Sequence, residues 1–319
     1  MEKRQRVINA IRGEKVDFVP TCFSLHFDKS KAFGAEGVSS HLQFFKETDT
    51  DIEKIMNEHL VPFMGHIRIP DDWNQIRNIS LNDHFMKEQL SMVDQILQSS
   101  DSSAFRIGTL HGVVASAIHP IEAVYGYEKV RELLCSHLRE KSQPVLDAFK
   151  RIAEGMCRLA EKYINMGLDG IYYAALGGES YYFTDEEFEK HIAPLDKMIL
   201  EATKKADGTT ILHMCKNHLN LDRYQSYTSV VDVFNWGIYE DNIMLDEGRA
   251  LFKDKAIMGG LQNRAGVVVD GSKDELADEV KRIIKNQETS KFILGADCTL
   301  ATEMPYDRIK LIVDTARSI

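Results

Sequence analysis

The alternation of helix and strand that decides the fold is clearest in SQPVLDAFKRIAEGMCRLAEKYINMGLDGIYYAALGGESYYFTDEEFEKHIAPLDKMILEATKKADGTTILHMC, residues 142–215. Two long amphipathic stretches, Ser142–Met166 and Asp185–Lys205, are each followed by a short apolar run, Gly170–Ala175 and Thr209–Cys215. An apolar period of three to four residues predicts a helix, and a short run rich in β-branched and aromatic residues predicts a buried strand. These residues therefore predict helix, strand, helix and strand, the unit from which parallel sheets are built.

The same alternation continues in both directions along the chain. Further helices are predicted at Lys273–Asn286 and Pro305–Arg317. Eight strands are predicted in all, at Val19–Phe27, Ile52–Met56, Phe105–Val114, Gly170–Ala175, Thr209–Cys215, Val230–Trp236, Ala256–Leu261 and Lys291–Cys298. Eight strands with helices between them predict an α/β fold, a single (β/α)8 TIM barrel that spans residues 1–319.

Two additions to this barrel are predicted, a helix at about residues 2–12 and an extra helical segment at about residues 85–98. A doubly wound open sheet is the alternative architecture. It requires a glycine-rich turn after the first strand, whereas the turn after Phe27 reads Asp28-Lys29-Ser30. The barrel is therefore the better prediction.

Composition limits the classes of partner. The 319 residues carry a net charge of −10, whereas nucleic-acid binding requires a basic surface, so no nucleic-acid partner is expected. No uncharged stretch reaches the roughly 20 residues that span a bilayer, so no membrane segment is expected. The 5 cysteines are odd in number and scattered, which suits a reducing compartment. We therefore expect a cytoplasmic protein whose functional cysteines bind metal or take part in chemistry.

The stretch from Thr209 to Cys215 carries the strongest chemical signal. Alternate side chains of a strand share a face, so His213 and Cys215 can both point into a barrel. Cys298 ends the eighth predicted strand, at the C-terminal rim where barrel enzymes carry their sites. One imidazole and two thiolates with an open fourth position are ligands of a catalytic zinc ion. The pattern predicts a Zn²⁺ site of His213, Cys215 and Cys298, with the loop residue His218 as an alternative ligand or a surface histidine.

Glu179 lies just past the fourth predicted strand. One interpretation is a fourth, displaceable metal ligand, and another is a catalytic general acid that protonates a leaving group. The structural alternative is a solvated carboxylate in a loop.

Polar and aromatic residues at the strand ends are candidates for substrate binding. The polar candidates are His26, His111, Asn235, Gln262 and Asn263. The aromatic residues that follow strands four and six are Tyr172, Tyr173, Tyr181, Tyr182, Phe183, Trp236 and Tyr239, of which Tyr173 and Trp236 are predicted to contact substrate. Aromatic walls suit a flat apolar substrate, although the same residues would equally serve as core or lid packing.

Several segments resemble the uroporphyrinogen decarboxylase superfamily. Residues 4–20, RQRVINAIRGEKVDFVP, are similar to its N-terminal signature of a helix, a "G-E" turn, an aspartate and "V-P". The segments at residues 167–171, 211–215, 258–263 and 292–298 resemble its later blocks. The resemblance covers most of the chain and implies a single (β/α)8 barrel.

This superfamily has two relevant branches. Its decarboxylases grip a porphyrinogen with many carboxylates through an arginine-rich segment after strand one, and the corresponding residues 20–29, PTCFSLHFDK, contain no arginine. The other branch comprises zinc-dependent methyltransferases that work with corrinoid proteins, and its signature H-x-C followed much later by C is filled by His213, Cys215 and Cys298. The resemblance thus implies Zn²⁺ on these residues, cobalamin carried by a partner protein, and a small methyl donor or acceptor, an aryl methyl ether or a thiol.

Two other functions stay open on the sequence alone. A decarboxylase of a smaller carboxylic acid would keep the barrel and work without metal. A non-catalytic barrel that docks or chaperones a corrinoid would not need Cys215 or Cys298.

Overall fold

The computed structural model, which describes residues 1–62, 65–287 and 290–319, contains a closed barrel of parallel strands in the order β1 to β8. The strands are β1 (Thr21–Cys22), β2 (Ile52–Ile55), β3 (Phe105–His111), β4 (Gly170–Ala175), β5 (Thr209–Met214), β6 (Val233–Trp236), β7 (Ala256–Leu261) and β8 (Phe292–Ala296). Each strand pairs with the next along the chain, and β8 pairs with β1 to close the barrel. The predicted (β/α)8 TIM barrel is confirmed.

Helices connect the strands and cover the barrel. They are α1 (Lys3–Arg12), α2 (Gly34–Thr48), α3 (His84–Ser99), α4 (Val113–Tyr125), α5 (Tyr127–Glu140), α6 (Ser142–Asn165), α7 (Asp185–Glu187), α8 (Ala193–Lys205), α9 (Ile238–Asp241), α10 (Leu245–Leu251), α11 (Lys273–Asn286) and α12 (Tyr306–Arg317). Short 3-10 helices lie at Lys29–Lys31, Pro70–Gln75, Leu221–Tyr227 and Gly266–Val268. Helices α1 and α3 occupy the places predicted for the N-terminal helix and for the extra helical segment. No helix in the described parts of the chain is long and apolar enough to cross a bilayer.

Two observed strands, β1 and β3, end three or more residues before their predicted last residue. After Cys22 the chain meets the barrel again only through a bridge between Leu25 and Leu300, so the ladder of β1 is brief. Strand β3 ends at His111, and the apolar residues that follow it begin α4 instead of extending the strand. A short apolar run fits a buried strand and a buried helix equally well, which is why the sequence pattern extended β3 too far.

The helix predicted over Asp185–Lys205 contains a π turn at Phe188–Ile192, between α7 and α8. Pro194 lies in the first turn of α8. Proline has no N–H, and its ring clashes with the carbonyl group four residues earlier in a regular α-helix. The wider π turn accommodates the proline without ending the helix.

Alternate residues of the strands fill the barrel. One buried cluster contains the inward-facing Cys22, Ile52, Phe105, Ile107, Tyr172, Ile211, Val233, Ala256, Met258 and Ile293, and Val7 of α1 packs against it from the N-terminal end. Beside Val7, the buried Arg6 donates hydrogen bonds to Asp17 and Asp51. Asp51 also accepts hydrogen bonds from the backbone N–H and the hydroxyl group of Thr21. We call Arg6, Asp17, Asp51 and Thr21 the Arg6 cluster; it closes the N-terminal end of the barrel beneath α1, opposite the C-terminal rim.

Candidate metal centre

Three side chains with metal-ligand chemistry meet at the C-terminal rim of the barrel. His213 lies near the end of β5, Cys215 follows that strand directly, and Cys298 follows β8. One ligand atom from each of the three lies within 4.8 Å of the other two, and no other such group of His, Cys, Asp and Glu side chains occurs in the described residues. The alternation of β5 and the closure of the barrel by β8 together produce this juxtaposition.

The surroundings of His213 fit a metal ligand. His213 is 2% exposed, and neither of its ring nitrogens has a hydrogen-bond partner among the described residues. A buried polar atom without a partner costs on the order of 1–3 kcal/mol, a cost that coordination to a cation would remove. A histidine that served only the core would normally have a hydrogen-bond partner.

The two sulfurs interact with each other and with His213. The hydrogen bond between them raises the pKa of Cys215, which keeps the shared proton, and burial raises it further. The same hydrogen bond and the nearby imidazole of His213 lower the pKa of Cys298 well below its usual value. One imidazole and two thiols, one of them readily ionised, form a donor set that Zn²⁺ accepts with a fourth position left for substrate.

Tyr172 of β4 holds His213 from the inside of the barrel. The Tyr172 ring stacks on the imidazole with ring centroids 5.4 Å apart and an interplanar angle of 24°. On the same ring lies the ammonium nitrogen of Lys54, 3.5 Å from the ring centroid. The Tyr172 hydroxyl donates a 2.8 Å hydrogen bond to Asn235 Oδ1, and the Asn235 amide donates to the carbonyl oxygens of Met258 and Ala296. The position of His213 is therefore fixed by stacking and not by a hydrogen bond to its ring nitrogens.

A cavity of about 410 Å³ opens beside the three candidate ligands. Three cations border it, Lys54, Lys216 and Arg264, and none of them forms an ion pair within the described parts of the chain. Burial lowers the pKa of Lys54, while the nearby thiols Cys22, Cys298 and Cys215 oppose that shift. The chain as a whole carries a net charge of −10, so these three cations make the cavity more positive than the protein overall.

Two carboxyl groups, those of Asp297 and Glu240, also line the cavity. Asp297 accepts a hydrogen bond from the backbone N–H of Tyr239 with one oxygen, while its other oxygen has no partner in the described residues. Burial raises the pKa of Asp297 to about 7, and burial and Cys298 raise that of Glu240. These acids border the same cavity as the candidate metal ligands.

Histidines form the wall of the cavity that comes from β1, β3 and α4. The ring of His26 forms a 2.5 Å hydrogen bond through Nδ1 with Glu58 Oε1. The rings of His111 and His119 lie edge to face, with centroids 5.5 Å apart. Burial lowers the pKa of His111 to about 4 and that of His119 to about 3, so both imidazoles are neutral at physiological pH.

The structure brings several of the predicted substrate-binding residues to the cavity. His26, His111 and Asn263 border it together with the three candidate metal ligands. Asn235 faces inward but lies beneath the cavity, where Tyr172, Met258 and Ala296 use its hydrogen bonds.

The structure does not bring Tyr173, Trp236 and Gln262 to the cavity, which corrects the predicted substrate-binding set. Tyr173 and Trp236 alternate with inward-facing neighbours and so point outward, where both are fully buried. The Tyr173 hydroxyl donates to Asp196, and the Trp236 indole N–H donates to the carbonyl oxygen of Ile243. The Gln262 side chain lies against Gly266, where its Oε1 occupies the space that a Cβ atom would need.

Glu179 is also separate from the candidate metal ligands. It is 1% exposed, and one of its oxygens accepts a hydrogen bond from the backbone N–H of Gly177. Its other oxygen faces the Arg131 guanidinium at 3.6 Å. Its loop and this cation hold the carboxylate outside the cavity, which corrects its predicted place as metal ligand or general acid. His218 lies in an adjoining surface cleft beside Tyr181, away from the three candidate ligands.

Sequence reasoning missed Lys54 and His119 at the cavity, and it missed Glu58 beside His26. The alternation of β2 would have placed Lys54 inward together with Ile52, but that strand has only a weak pattern. Glu58 follows β2 in a segment without helix or strand, and His119 lies on α4, a helix that the sequence had assigned in part to a strand. The residues around Glu58 and around His119 show no periodic pattern from which their position near the rim could be predicted.

Comparison with known proteins places this barrel among relatives. The model of the family described as "Uroporphyrinogen decarboxylase (URO-D)" matches residues 51–319. The methylcobamide:CoM methyltransferase MtbA of Methanosarcina acetivorans is 21% identical over an alignment of 355 positions, gaps included. The alignment covers 99% of this chain and 97% of that protein.

Two solved structures have a similar fold. A methyltransferase from Methanosarcina mazei has a TM-score of 0.79 at 14% identity, with 100% of this chain and 98% of that chain covered. A B12-independent methionine synthase from Shewanella sp. W3-18-1, in complex with selenomethionine, has a TM-score of 0.62 at 11% identity, with 94% and 97% covered. At these identities the structural likeness concerns the fold alone.

Proposed function

The chain belongs to the uroporphyrinogen decarboxylase family, and from this premise we propose that it is a zinc-dependent methyltransferase acting with a corrinoid protein. In this proposal a methyl group moves between a small thiol and the corrinoid that the partner protein carries. The observation that carries the proposal is the convergence of His213, Cys215 and Cys298, with both nitrogens of the buried imidazole unpartnered among the described residues. The name of the relative MtbA, a methylcobamide:CoM methyltransferase, supports the reaction class.

His213, Cys215 and Cys298 would hold the zinc ion. Zinc bound by these side chains would supply Lewis acidity toward a substrate sulfur and would favour its ionised form. The two cysteines would offset the charge of the ion, and Tyr172 would keep the imidazole in the ligating orientation. The cavity of about 410 Å³ would hold the remainder of a small substrate and leave the rim accessible to a corrinoid.

A thiol fits the cavity better than an aryl methyl ether does. Of the seven aromatic residues that the sequence suggested for the mouth, only Tyr172 borders this cavity, and the stack with His213 already occupies one face of its ring. The lining is instead rich in imidazole, ammonium and guanidinium groups. These groups suit a small polar substrate more than a flat apolar one.

The test uses the zinc-loaded protein with free methylcobalamin, and either coenzyme M or 2-mercaptoethanol as acceptor. We expect the absorption of methylcobalamin to decrease as the thioether forms, and we expect Cys298→Ala to abolish this reaction. Cys22→Ala is the matched control, because Cys22 faces the same interior but is not one of the three candidate ligands. Demethylation of aryl methyl ethers by cob(I)alamin, without methyl transfer to either thiol, would identify an ether and not a thiol as the substrate. Absence of any methyl transfer would contradict the proposal, and metal-independent release of CO₂ from a small acid would favour the decarboxylase instead.

A further inference from the structure

His26, in the histidine wall of the cavity, forms a hydrogen bond with the carboxylate of Glu58. Glu58 Oε1 lies 2.5 Å from His26 Nδ1, and Glu58 is the only carboxylate that the described residues offer to this ring. Burial raises the pKa of Glu58, but the hydrogen bond from His26 and the electrostatic effects of His26, His111 and His41 together outweigh burial and keep the pKa below its usual value. Glu58 is therefore ionised, and it accepts the Nδ1 proton of the imidazole.

This hydrogen bond determines what the other ring nitrogen can do. With Nδ1 protonated toward Glu58, the neutral imidazole carries a free electron pair on Nε2. Nε2 makes no hydrogen bond within the described parts of the chain, and His26 borders the cavity that the three candidate metal ligands share. The bridge between Leu25 and Leu300 places the segment that carries His26 beside the segment that follows Cys298. A carboxylate that orients an imidazole toward a reaction site is the arrangement of a general base and its positioning residue.

The groups that face this pair select His26 among the histidines. Lys54 of β2, His111 of β3 and His119 of α4 lie on the same wall, and the buried His41 of α2 lies near Glu58. Burial makes His41, His111 and His119 poor proton acceptors, with pKa values of about 4, 4 and 3. The side chain of His26 is 45% exposed, so a proton on its ring can reach solvent.

We propose that His26 is the general base that removes the proton of the substrate thiol and that Glu58 is its positioning residue. This inference rests on the proposed function. The S–H bond breaks, its electron pair stays on sulfur, and the proton forms an N–H bond at His26 Nε2. Glu58 stabilises the resulting imidazolium, which keeps this proton while the thiol stays bound and releases it to solvent only after methyl transfer. In the reverse direction the imidazolium returns a proton to the departing sulfur.

The first test measures protons released when the zinc-loaded protein binds coenzyme M, by calorimetry at pH 7.5 in buffers of different ionisation enthalpy. In the wild type His26 retains the proton, so the released number falls well below the value for His26→Gln, which approaches about one proton per thiol bound. Glu58→Gln gives an intermediate value. Equal proton numbers in the wild type and His26→Gln would overturn this assignment while leaving the methyltransferase proposal intact. Failure of the zinc-loaded wild type to bind any thiol would overturn both.

The second test is the pH profile of methyl transfer from methylcobalamin. We expect His26→Gln to lower kcat about 10²-fold at neutral pH and to remove the acidic limb of the profile, with partial rescue by added imidazole. Zinc content is expected to stay at the wild-type value, and the surface variant His191→Gln serves as control. A His26→Gln enzyme with the wild-type pH profile would contradict the assignment even if its rate were lower, because a purely structural role would change the rate without removing a titration.

Discussion

At the N-terminal end of the barrel, the buried Arg6 donates to Asp17 and Asp51, and Asp51 accepts two further hydrogen bonds from Thr21. At the C-terminal end, the equally buried His213 has no partner for either nitrogen among the described residues, and Lys54 meets only the face of an aromatic ring. The difference indicates that polar groups at the closed end stabilise the fold, whereas those at the open end are arranged for a ligand.

Removal of a candidate metal ligand should have the largest effect on function. Cys298→Ala and Cys215→Ala are expected to lose bound zinc and to lower methyl transfer by at least ~10³-fold, or about 4 kcal/mol of transition-state stabilisation. Zinc content by elemental analysis and the methylcobalamin assay check this. Cys22→Ala should keep one zinc per chain, because burial raises the pKa of this thiol to about 12 and keeps it protonated. Full zinc occupancy in both ligand variants would contradict the claim that the C-terminal end of the barrel is arranged to bind a metal ion.

The opposite result is expected at the closed end. Arg6→Ala leaves Asp51 buried without its cation and should lower the free energy of unfolding by about 3–5 kcal/mol. Zinc stoichiometry of the folded protein should not change. Urea unfolding measures the loss, and the exposed Arg12→Ala on the same helix is the control, with an expected change below about 0.5 kcal/mol. A large loss of zinc affinity in folded Arg6→Ala would show that the two ends are not independent.

Two neighbouring tyrosines of β4 allow a metal-site role and a purely structural role to be compared within one strand. Tyr172→Leu removes the ring that stacks on His213 and is expected to weaken zinc binding by about 10-fold, in the range found for residues that orient ligands. Tyr173→Phe breaks a buried hydrogen bond to Asp196 and should cost about 1–2 kcal/mol of stability with zinc affinity unchanged. Competition with a chelator gives the affinities. Equal zinc affinities in the two variants would remove Tyr172 from the metal centre.

The smallest predicted effect is a pH dependence at the closed end. The hydrogen bond from Arg6 holds the pKa of Asp17 well below its usual value, against the effect of burial. A carboxyl group with a lowered pKa contributes stability above its unfolded pKa of about 4 and loses that contribution as the pH falls. Wild-type stability should therefore decrease below pH ~4 more steeply than that of Asp17→Asn. Parallel curves for the two proteins would contradict the role of this ion pair.

The fold and the convergence of His213, Cys215 and Cys298 could be predicted because both depend on short periods in the sequence. Alternation along β5 puts His213 and Cys215 on one face, and the count of eight strands brings Cys298 to the same rim. The tyrosine of β4 could not be chosen in the same way. Which of Tyr172 and Tyr173 faces inward depends on the register that pairs Ala174 with His213, and register is a property of the closed sheet.

The contributions of loops and of outer helices could not be predicted. Glu58 reaches His26 across 32 residues of sequence, and no local pattern carries that distance. Glu179 follows β4 as a catalytic residue would, but its carboxylate turns back to Gly177 and Arg131. Sequence periods fix which strand ends carry functional groups, and tertiary packing decides which of those groups face the cavity.

The most direct test of the central claim is zinc K-edge X-ray absorption on the zinc-loaded protein. We expect one zinc ion per chain, with two sulfur neighbours at about 2.3 Å and at least one nitrogen neighbour at about 2.0–2.1 Å. Cys298→Ala should lose one of the sulfur neighbours or the zinc itself. A wild-type protein that binds no zinc, or one whose zinc has no sulfur neighbours, would contradict the account.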